Sequence, residues 1–297
     1  MISSKAMSQE RLDASLDIDQ RSAREIVRII QEQDALVAAA VAAEADRIAH
    51  AVDQIADRLK HGGRLFYAGA GTSGRIAMLD ASELPPTYGI DPSLVRVLMA
   101  GGERAFLHAV EGAEDDEEAA IEAVNAEVKA EDAVVGIAAS GTTPYTVAAI
   151  RRANMLGALT VAVTSNPNSP LASEADIAIA PQTGAEVIMG SSRMKSGTAQ
   201  KLVLNTLSTG VMIRLGHVYS NLMTDMPATN EKLRNRAVRM VELAAGVPRP
   251  AAVQAIRDAG GNVKLATIMA KKKTTFDDAR ALLEAHHGNL REVLETQ

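Results

Sequence analysis

Two stretches of this chain combine glycines with hydroxyl side chains in a pattern that lets a backbone close on an anion. They are Ala68-Gly69-Ala70-Gly71-Thr72-Ser73-Gly74-Arg75 and Ala138-Ala139-Ser140-Gly141-Thr142-Thr143-Pro144. Glycine lets the chain turn tightly and approach a ligand closely. N–H groups at a helix start attract negative charge, and the serines and threonines add hydroxyl donors. Pro144 suits the first turn of a helix. A third cluster, Gly190-Ser191-Ser192-Arg193-Met194-Lys195-Ser196-Gly197-Thr198, sets hydroxyls and two cations ahead of a long helical pattern. Helix capping would account for one of its serines but not for all of it. The expected binding set is therefore Gly71, Thr72, Ser73, Ser140, Gly141, Thr142, Thr143, Ser191, Ser192 and Lys195, and the ligand is a small phosphate ester.

Larger or metal-bound ligands fit this pattern less well. Gly69, Gly71 and Gly74 satisfy the G-x-G-x-x-G of a dinucleotide loop. The acid that should hold the ribose about 20 residues further on is missing, because the next strand-like run ends Met99-Ala100-Gly101-Gly102 and Glu103 lies later. Neither a Walker A sequence nor a G-x-S-x-G elbow occurs. Cysteine is absent, and His50, His61, His108, His217, His286 and His287 are not in metal-ligand spacing. The expectation is no metal and no cofactor, leaving acid–base chemistry by carboxylates. Glu83, in Asp80-Ala81-Ser82-Glu83-Leu84-Pro85-Pro86, falls at the expected end of the helix that the first loop opens, where an acid opposes the dipole. Glu114 falls in Val110-Glu111-Gly112-Ala113-Glu114-Asp115-Asp116, which read alone is a solvated helix start.

The elements that must hold these loops are legible as alternating patterns. Residues 1–20 read as a loose arm. From 22 to 59 the pattern is helical, with Ile48, Val52, Ile55 and Leu59 on one face, and Gly62-Gly63 ends it. Apolar runs of strand length follow at 64–68, 94–99, 133–138, 159–164 and 177–180, with helical patterns between them. Buried strands alternating with helices make a doubly wound parallel α/β sheet, whose ligands bind beyond the C-terminal strand ends. Helical patterns return over 196–215 and 223–245; Pro248-Arg249-Pro250 reads as a linker. The expected division is an arm at 1–20, a main domain at 21–246 and a small helical module at 247–297. Lys271-Lys272-Lys273 reads as a solvated helix end.

Composition narrows the partners. The 297 residues are 47% hydrophobic and 23% charged, an ordinary globular balance. The 31 basic against 37 acidic residues give a net charge of −6, which does not suit a nucleic-acid backbone. With Tyr 4, Phe 3 and Trp 0 there is little material for stacking platforms. No apolar run is long enough to span a membrane and no signal-like segment opens the chain. A cytoplasmic protein with no nucleic-acid or membrane partner is expected.

Taken together, Gly69-Ala70-Gly71-Thr72-Ser73-Gly74-Arg75, Leu79-Asp80-Ala81-Ser82-Glu83 and Pro85-Pro86 closely resemble the N-acetylmuramic acid 6-phosphate etherases. So do residues 109–116, 135–141 and 195–215, with Gly197-Thr198-Ala199-Gln200-Lys201 and Leu207-Ser208-Thr209-Gly210-Val211-Met212. The resemblance runs from about residue 20 to the C-terminus. It implies a sugar isomerase (SIS) fold, a five-stranded parallel sheet between helices, usually in a homodimer. It implies a carbon–oxygen lyase that cleaves the D-lactyl ether of a phosphorylated amino sugar, giving N-acetylglucosamine 6-phosphate and D-lactate in cell-wall sugar recycling. The residue matching Glu83 is the family's proton donor, and the one matching Glu114 its second catalytic acid. For Glu83 to be an acid near neutrality its pKa must be raised, most simply by burial. Thr142 stands where the family usually has Arg, Leu84 and Ser165 where it commonly has Cys. A phosphosugar isomerase and a non-catalytic sugar-phosphate-binding regulator are the alternatives.

Overall fold

The computed structural model describes residues 10–228 and 230–295. Of the arm expected at the start, residues 1–9 lie outside the described part. The remainder forms single 3₁₀ turns at Asp13–Ser15 and Ile18–Gln20. Ser15 Oγ donates to the Val187 carbonyl at 2.7 Å, so this part of the arm is tied down rather than loose. The chain forms two compact units. One runs to Ala81 and resumes over Ser93–Ser208; the other comprises Ser82–Pro92 and the chain from Thr209 on. The boundary expected near residue 246 falls within the second.

The first unit contains α1 (Ala23–Asp34), α2 (Val37–Ala42), α3 (Ala45–Lys60), β1 (Leu65–Gly69) and the start of α4 (Gly71–Tyr88). It continues with β2 (Val95–Met99), α5 (Arg104–Leu107), α6 (Glu117–Glu127), β3 (Ala133–Ile137), α7 (Pro144–Leu156), β4 (Leu159–Val163), α8 (Pro170–Glu174), β5 (Ile177–Ile179) and most of α9 (Lys195–Arg214). The stretch read as one helix over 22–59 is three. Ser22 opens α1 with a capping box, its side chain accepting from the Glu25 amide. The breaks near residues 35 and 43 redirect the chain while Ile29, Val37, Ile48 and Ile55 all stay buried.

All five strands are parallel, in the order β2-β1-β3-β4-β5, at almost the expected positions. They are short apolar runs because both faces are covered. Leu65, Phe66, Tyr67 and Ala68 are fully buried, and a large apolar side chain so placed contributes about 1.5–3 kcal/mol. One face packs Phe66, Val134 and Ala162 against Val124 of α6 and Ala149, Ile150 and Ala153 of α7. A Cβ on Gly136, mid-β3, would lie 2.5 Å from Ile150 Cγ1, so α7 rests directly on the strand backbone. The other face carries α3 against β4 and β5.

The second unit holds the end of α4, a short antiparallel hairpin of β6 (Val218–Tyr219) and β7 (Leu222–Met223), and five helices. These are α10 (Glu231–Ala245), α11 (Arg249–Asp258), α12 (Val263–Lys272), α13 (Phe276–Ala285) and α14 (Leu290–Glu295). Val241, Ala252, Ala266, Ile268 and Leu290 are central to its core. The helix expected from residue 223 starts only at Glu231, capped by Asn230, because the hairpin takes up residues 218–223. Pro248-Arg249-Pro250 is no linker: it starts α11, with proline in the first turn. The Asp225 carboxylate accepts His217 Nδ1 at 2.8 Å and pairs with Lys264 Nζ at 2.6 Å. The lysine triplet does end a helix, α12. No described helix is long and apolar enough to cross a membrane.

Candidate functional site

At the C-terminal edge of the sheet Gly69 pairs with Met99 on one side and Ile137 on the other. The chain leaves β1 outward to β2 and then returns past β1 to β3. The loops after β1 and β3 thus flank the switch point at which parallel sheets open a crevice. A cleft of about 530 Å³ lies there. Gly71, Thr72, Ser73, Ser140, Thr142, Thr143, Ser192 and Glu114 line it; Gly141, Ser191, Lys195 and Glu83 do not.

The first loop is fixed by close packing. Gly71 begins α4 at φ +52°, and a Cβ on Gly74 would overlap Met99 Sδ and come within 2.9 Å of the Gly69 carbonyl. Ser73 Oγ donates to Gln200 Oε1 on α9 at 3.0 Å. Its hydroxyl proton is therefore committed inside the unit, and what Ser73 offers an anion is its backbone N–H in the first helical turn. Asp80, buried on the same helix, accepts from Tyr67 Oη at 2.8 Å, Asn205 Nδ2 at 2.6 Å and Ser208 Oγ at 3.0 Å. This ties β1, α4 and α9 together. Burial, with Asp80 beside it, holds the Tyr67 phenol well above its ordinary pKa, so it stays protonated and donating.

The second loop is built from hydroxyls. Ser140 Oγ and Thr142 Oγ1 are 2.9 Å apart, and the Thr142 amide donates to Ser140 Oγ at 3.2 Å. Gly141 turns the chain at φ +69°, and any Cβ there would overlap Ser169 Oγ. It shapes the loop from beneath rather than facing the cleft. Thr143 is the N-cap of α7 but makes no side-chain capping bond, and Pro144 follows at the helix start. Tyr145, in the first turn of α7, has its phenol pushed up to about 12 by burial, with Asp116 adding to the rise.

In the third cluster only part reaches the cleft. Ser192 and Gly190 line it. Lys195, expected to bind substrate, is buried instead: Nζ donates to Gln33 Oε1 on α1 at 2.9 Å. Burial pulls its ammonium below the ordinary lysine pKa, opposed by Glu186 and Asp34. The buried Glu186 carboxylate accepts the amides of Lys195 at 3.1 Å and Ser196 at 3.0 Å, capping α9. Ser191 folds into the local turn, its carbonyl accepting from Met194 N.

Glu114 occupies a 3₁₀ turn, Ala113–Asp115, directly before the true helix start. There Asp116 caps α6 by accepting the Ala119 amide at 2.9 Å. Both halves of the acid-rich segment therefore have an assignment: Asp116 and Glu117 begin a solvated helix, while Glu114 borders the cleft. Glu114 also borders a second, smaller pocket of about 200 Å³ with Ala70, Gly71, Arg75, His108 and Glu111. The sequence pattern does not single out His108 or Gln200, because the groups they meet, Arg75 and Ser73, are remote in the chain. Arg75 had a signal, lying one helical turn after Gly71.

Glu83 departs from two expectations. It is exposed, not buried. It is also not at a helix end, because α4 runs on through Pro85 and Pro86 to Tyr88, so the argument from an opposed dipole falls. Leu84 and Tyr88 are buried and anchor this last turn, which closes as Gly89 N donates to the Pro85 carbonyl at 2.9 Å. No group of three or more His, Asp or Glu side chains with metal-holding geometry occurs among the described residues.

Comparison with known proteins fits this architecture. A model of the SIS domain matches residues 109–209, and one described as the glucokinase regulatory protein N-terminal SIS domain matches residues 47–154. The chain is similar to the N-acetylmuramic acid 6-phosphate etherase of Symbiobacterium thermophilum, 61% identical over 264 residues, covering 89% of this chain and 88% of the relative. It is 49% identical over 289 residues to that of Clostridium beijerinckii, covering 97% and 95%. Among solved structures, a phosphoheptose isomerase from Francisella tularensis shares the fold at 20% identity, with a TM-score of 0.54, over 65% of this chain and 100% of that one.

Proposed function

Since this chain belongs to the N-acetylmuramic acid 6-phosphate etherase family, we propose that Glu83 and Glu114 are the acid–base pair with which it cleaves the D-lactyl ether. The substrate is N-acetylmuramic acid 6-phosphate, and the products are N-acetylglucosamine 6-phosphate and D-lactate. In the ring-opened sugar the C2 proton is alpha to the aldehyde, so a carboxylate can remove it. The electron pair left at C2 forms the C2–C3 double bond as the C3–O bond breaks. The departing lactate oxygen takes a proton from an acid, since a free alkoxide leaves poorly. Water then adds, hydroxide to C3 and proton to C2. Base and acid suffice for every step.

The observation that carries this reading is convergence. The glycine-and-hydroxyl loops after β1 and β3 meet Glu114 in one cleft at the switch point. Glu83 serves as proton donor, and a second copy of the chain in a homodimer supplies the burial that the single chain does not give it. Leu107, Ile188 and Met189 are exposed apolar side chains of the first unit, the kind of surface a second copy covers. A phosphorylated sugar is retained inside a cell by its charge, which favours a cytoplasmic location. Purified protein incubated with the muramic sugar phosphate is expected to release D-lactate, and to do so after exhaustive EDTA treatment. Aldose–ketose interconversion without lactate would make it an isomerase. Light scattering tests the dimer.

A further inference from the structure

The substrate of the proposed reaction carries two anions, one on each side of the bond that breaks. One is the 6-phosphate; the other is the carboxylate of the lactyl arm. The first unit likewise offers two compartments, and both are bordered by Ala70, Gly71 and Glu114. The larger holds the hydroxyl-and-amide loops. The smaller holds Arg75, the one permanently positive side chain lining either compartment among the described residues.

Arg75 is positioned with care. Nε donates to the carbonyls of Ala105 and Phe106, each at 3.2 Å, and Nη2 donates to the His108 carbonyl at 3.3 Å. These partners are neutral, and no carboxylate lies within ion-pair distance of it among the described residues. They fix the guanidinium while leaving several of its five N–H groups unclaimed. A half-buried cation held by carbonyls and not neutralised by its own protein is poised for an anionic ligand, and a guanidinium fork matches a carboxylate in particular.

We propose that the Arg75 pocket is the subsite for the lactyl carboxylate, a 2-alkoxy acid, and that Arg75 determines specificity for the carboxylated ether. The proposal rests on the etherase reading and assigns the arm of the substrate which that reading leaves unplaced. Glu114, at the junction of the compartments, then lies where the ether bond would be. Glu111 and Glu114 also line the small pocket, so without the guanidinium an entering carboxylate faces two acidic side chains and no permanently positive one.

Two substrates test this, the natural lactyl ether and its uncharged lactamide analogue, each with wild type and Arg75→Gln. Wild type should prefer the carboxylate about ten- to a hundredfold in kcat/KM, and Arg75→Gln should abolish that preference. Inhibition by N-acetylglucosamine 6-phosphate, which lacks the arm, should stay within about twofold. The assignment is overturned if wild type treats both substrates alike, if the variant keeps the preference, or if inhibition by the lactate-free sugar weakens as much as substrate binding. Should Arg75→Gln fail to fold, wild type and Arg75→Lys, which keeps the charge but loses the fork, decide: no preference in wild type, or a full preference kept in Arg75→Lys, refutes the subsite, and a preference lost in Arg75→Lys supports it. Normal lactate release by both Glu83→Gln and Glu114→Gln would sink the etherase mechanism itself, whatever Arg75 does.

Discussion

The loops after β1 and β3 reach the same cleft by opposite means. The β1 loop is closed by packing: Gly74 lies against Met99 and Gly69, and the Ser73 hydroxyl is committed to Gln200. It has backbone amides left to offer. In the β3 loop the tight residue, Gly141, lies underneath against Ser169, while Ser140, Thr142 and Thr143 are on the surface of the loop with their hydroxyls. Similar strings of glycine and hydroxyl residues thus turn main chain toward the cleft in one loop and side chains in the other, which under the proposed function divides the phosphate contacts between them.

Glu114, which borders the cleft that both loops form, gives the largest expected effect. Glu114→Gln should lower lactate release by about 10²–10⁴-fold, and Glu83→Gln by a similar factor, with circular dichroism and oligomeric state unchanged. Near-normal turnover in both variants would mean that the loops converge on something other than this chemistry.

Gly141→Ala breaks the comparison at the structural end. The new methyl would overlap Ser169 Oγ in a left-handed backbone conformation, at a cost of about 2–5 kcal/mol. Urea titration should show the loss as a lower midpoint with the slope retained. A neutral substitution would mean that the β3 loop is not held from beneath.

How much of this was legible follows the same division between local and remote causes. The strands and the two loops were readable because a buried parallel strand is a short apolar run, and a glycine–hydroxyl string after it has few other uses. The breaks inside residues 22–59 were not, since packing of Ile29, Val37 and Ile48 redirects a sequence that is locally helical throughout. The passage of α4 through Pro85-Pro86 depends on the burial of Leu84 and Tyr88. Lys195 and Ser192 sit three residues apart in one polar cluster, yet one faces Gln33 and the other the cleft. Only the seating of α9 on the buried Glu186 carboxylate decides that.

Serine removal sharpens the comparison. Ser140→Ala takes away a hydroxyl that lines the cleft and also supports the Thr142 amide. It should weaken phosphorylated ligands about tenfold or more and scarcely affect unphosphorylated analogues. Ser73→Ala removes the bond to Gln200 and should act mainly on stability, by about 1–3 kcal/mol for the buried acceptor left without its partner. Calorimetric titration with the sugar phosphate, run beside thermal melts, separates the two. The assignment of amides to one loop and hydroxyls to the other fails if Ser73→Ala proves the more damaging to phosphate binding.

The smallest effect concerns Thr142, the position at which the family resemblance leads one to expect arginine. Thr142 is exposed and lines the cleft, so an arginine there has room to extend toward a bound phosphate. Thr142→Arg also breaks the Ser140–Thr142 hydroxyl contact, which opposes the gain. A solvent-exposed charge pair is worth about 0–1 kcal/mol. Tightening of no more than about fivefold is therefore expected, present at low ionic strength and fading as salt rises through the physiological range. KM for the sugar phosphate, measured for both proteins at two salt concentrations, supplies the check. A gain that persists at high salt would mean that the arginine docks in a desolvated fork. A loss at both concentrations would mean that the paired hydroxyls of the β3 loop, rather than added charge, do the binding in this chain.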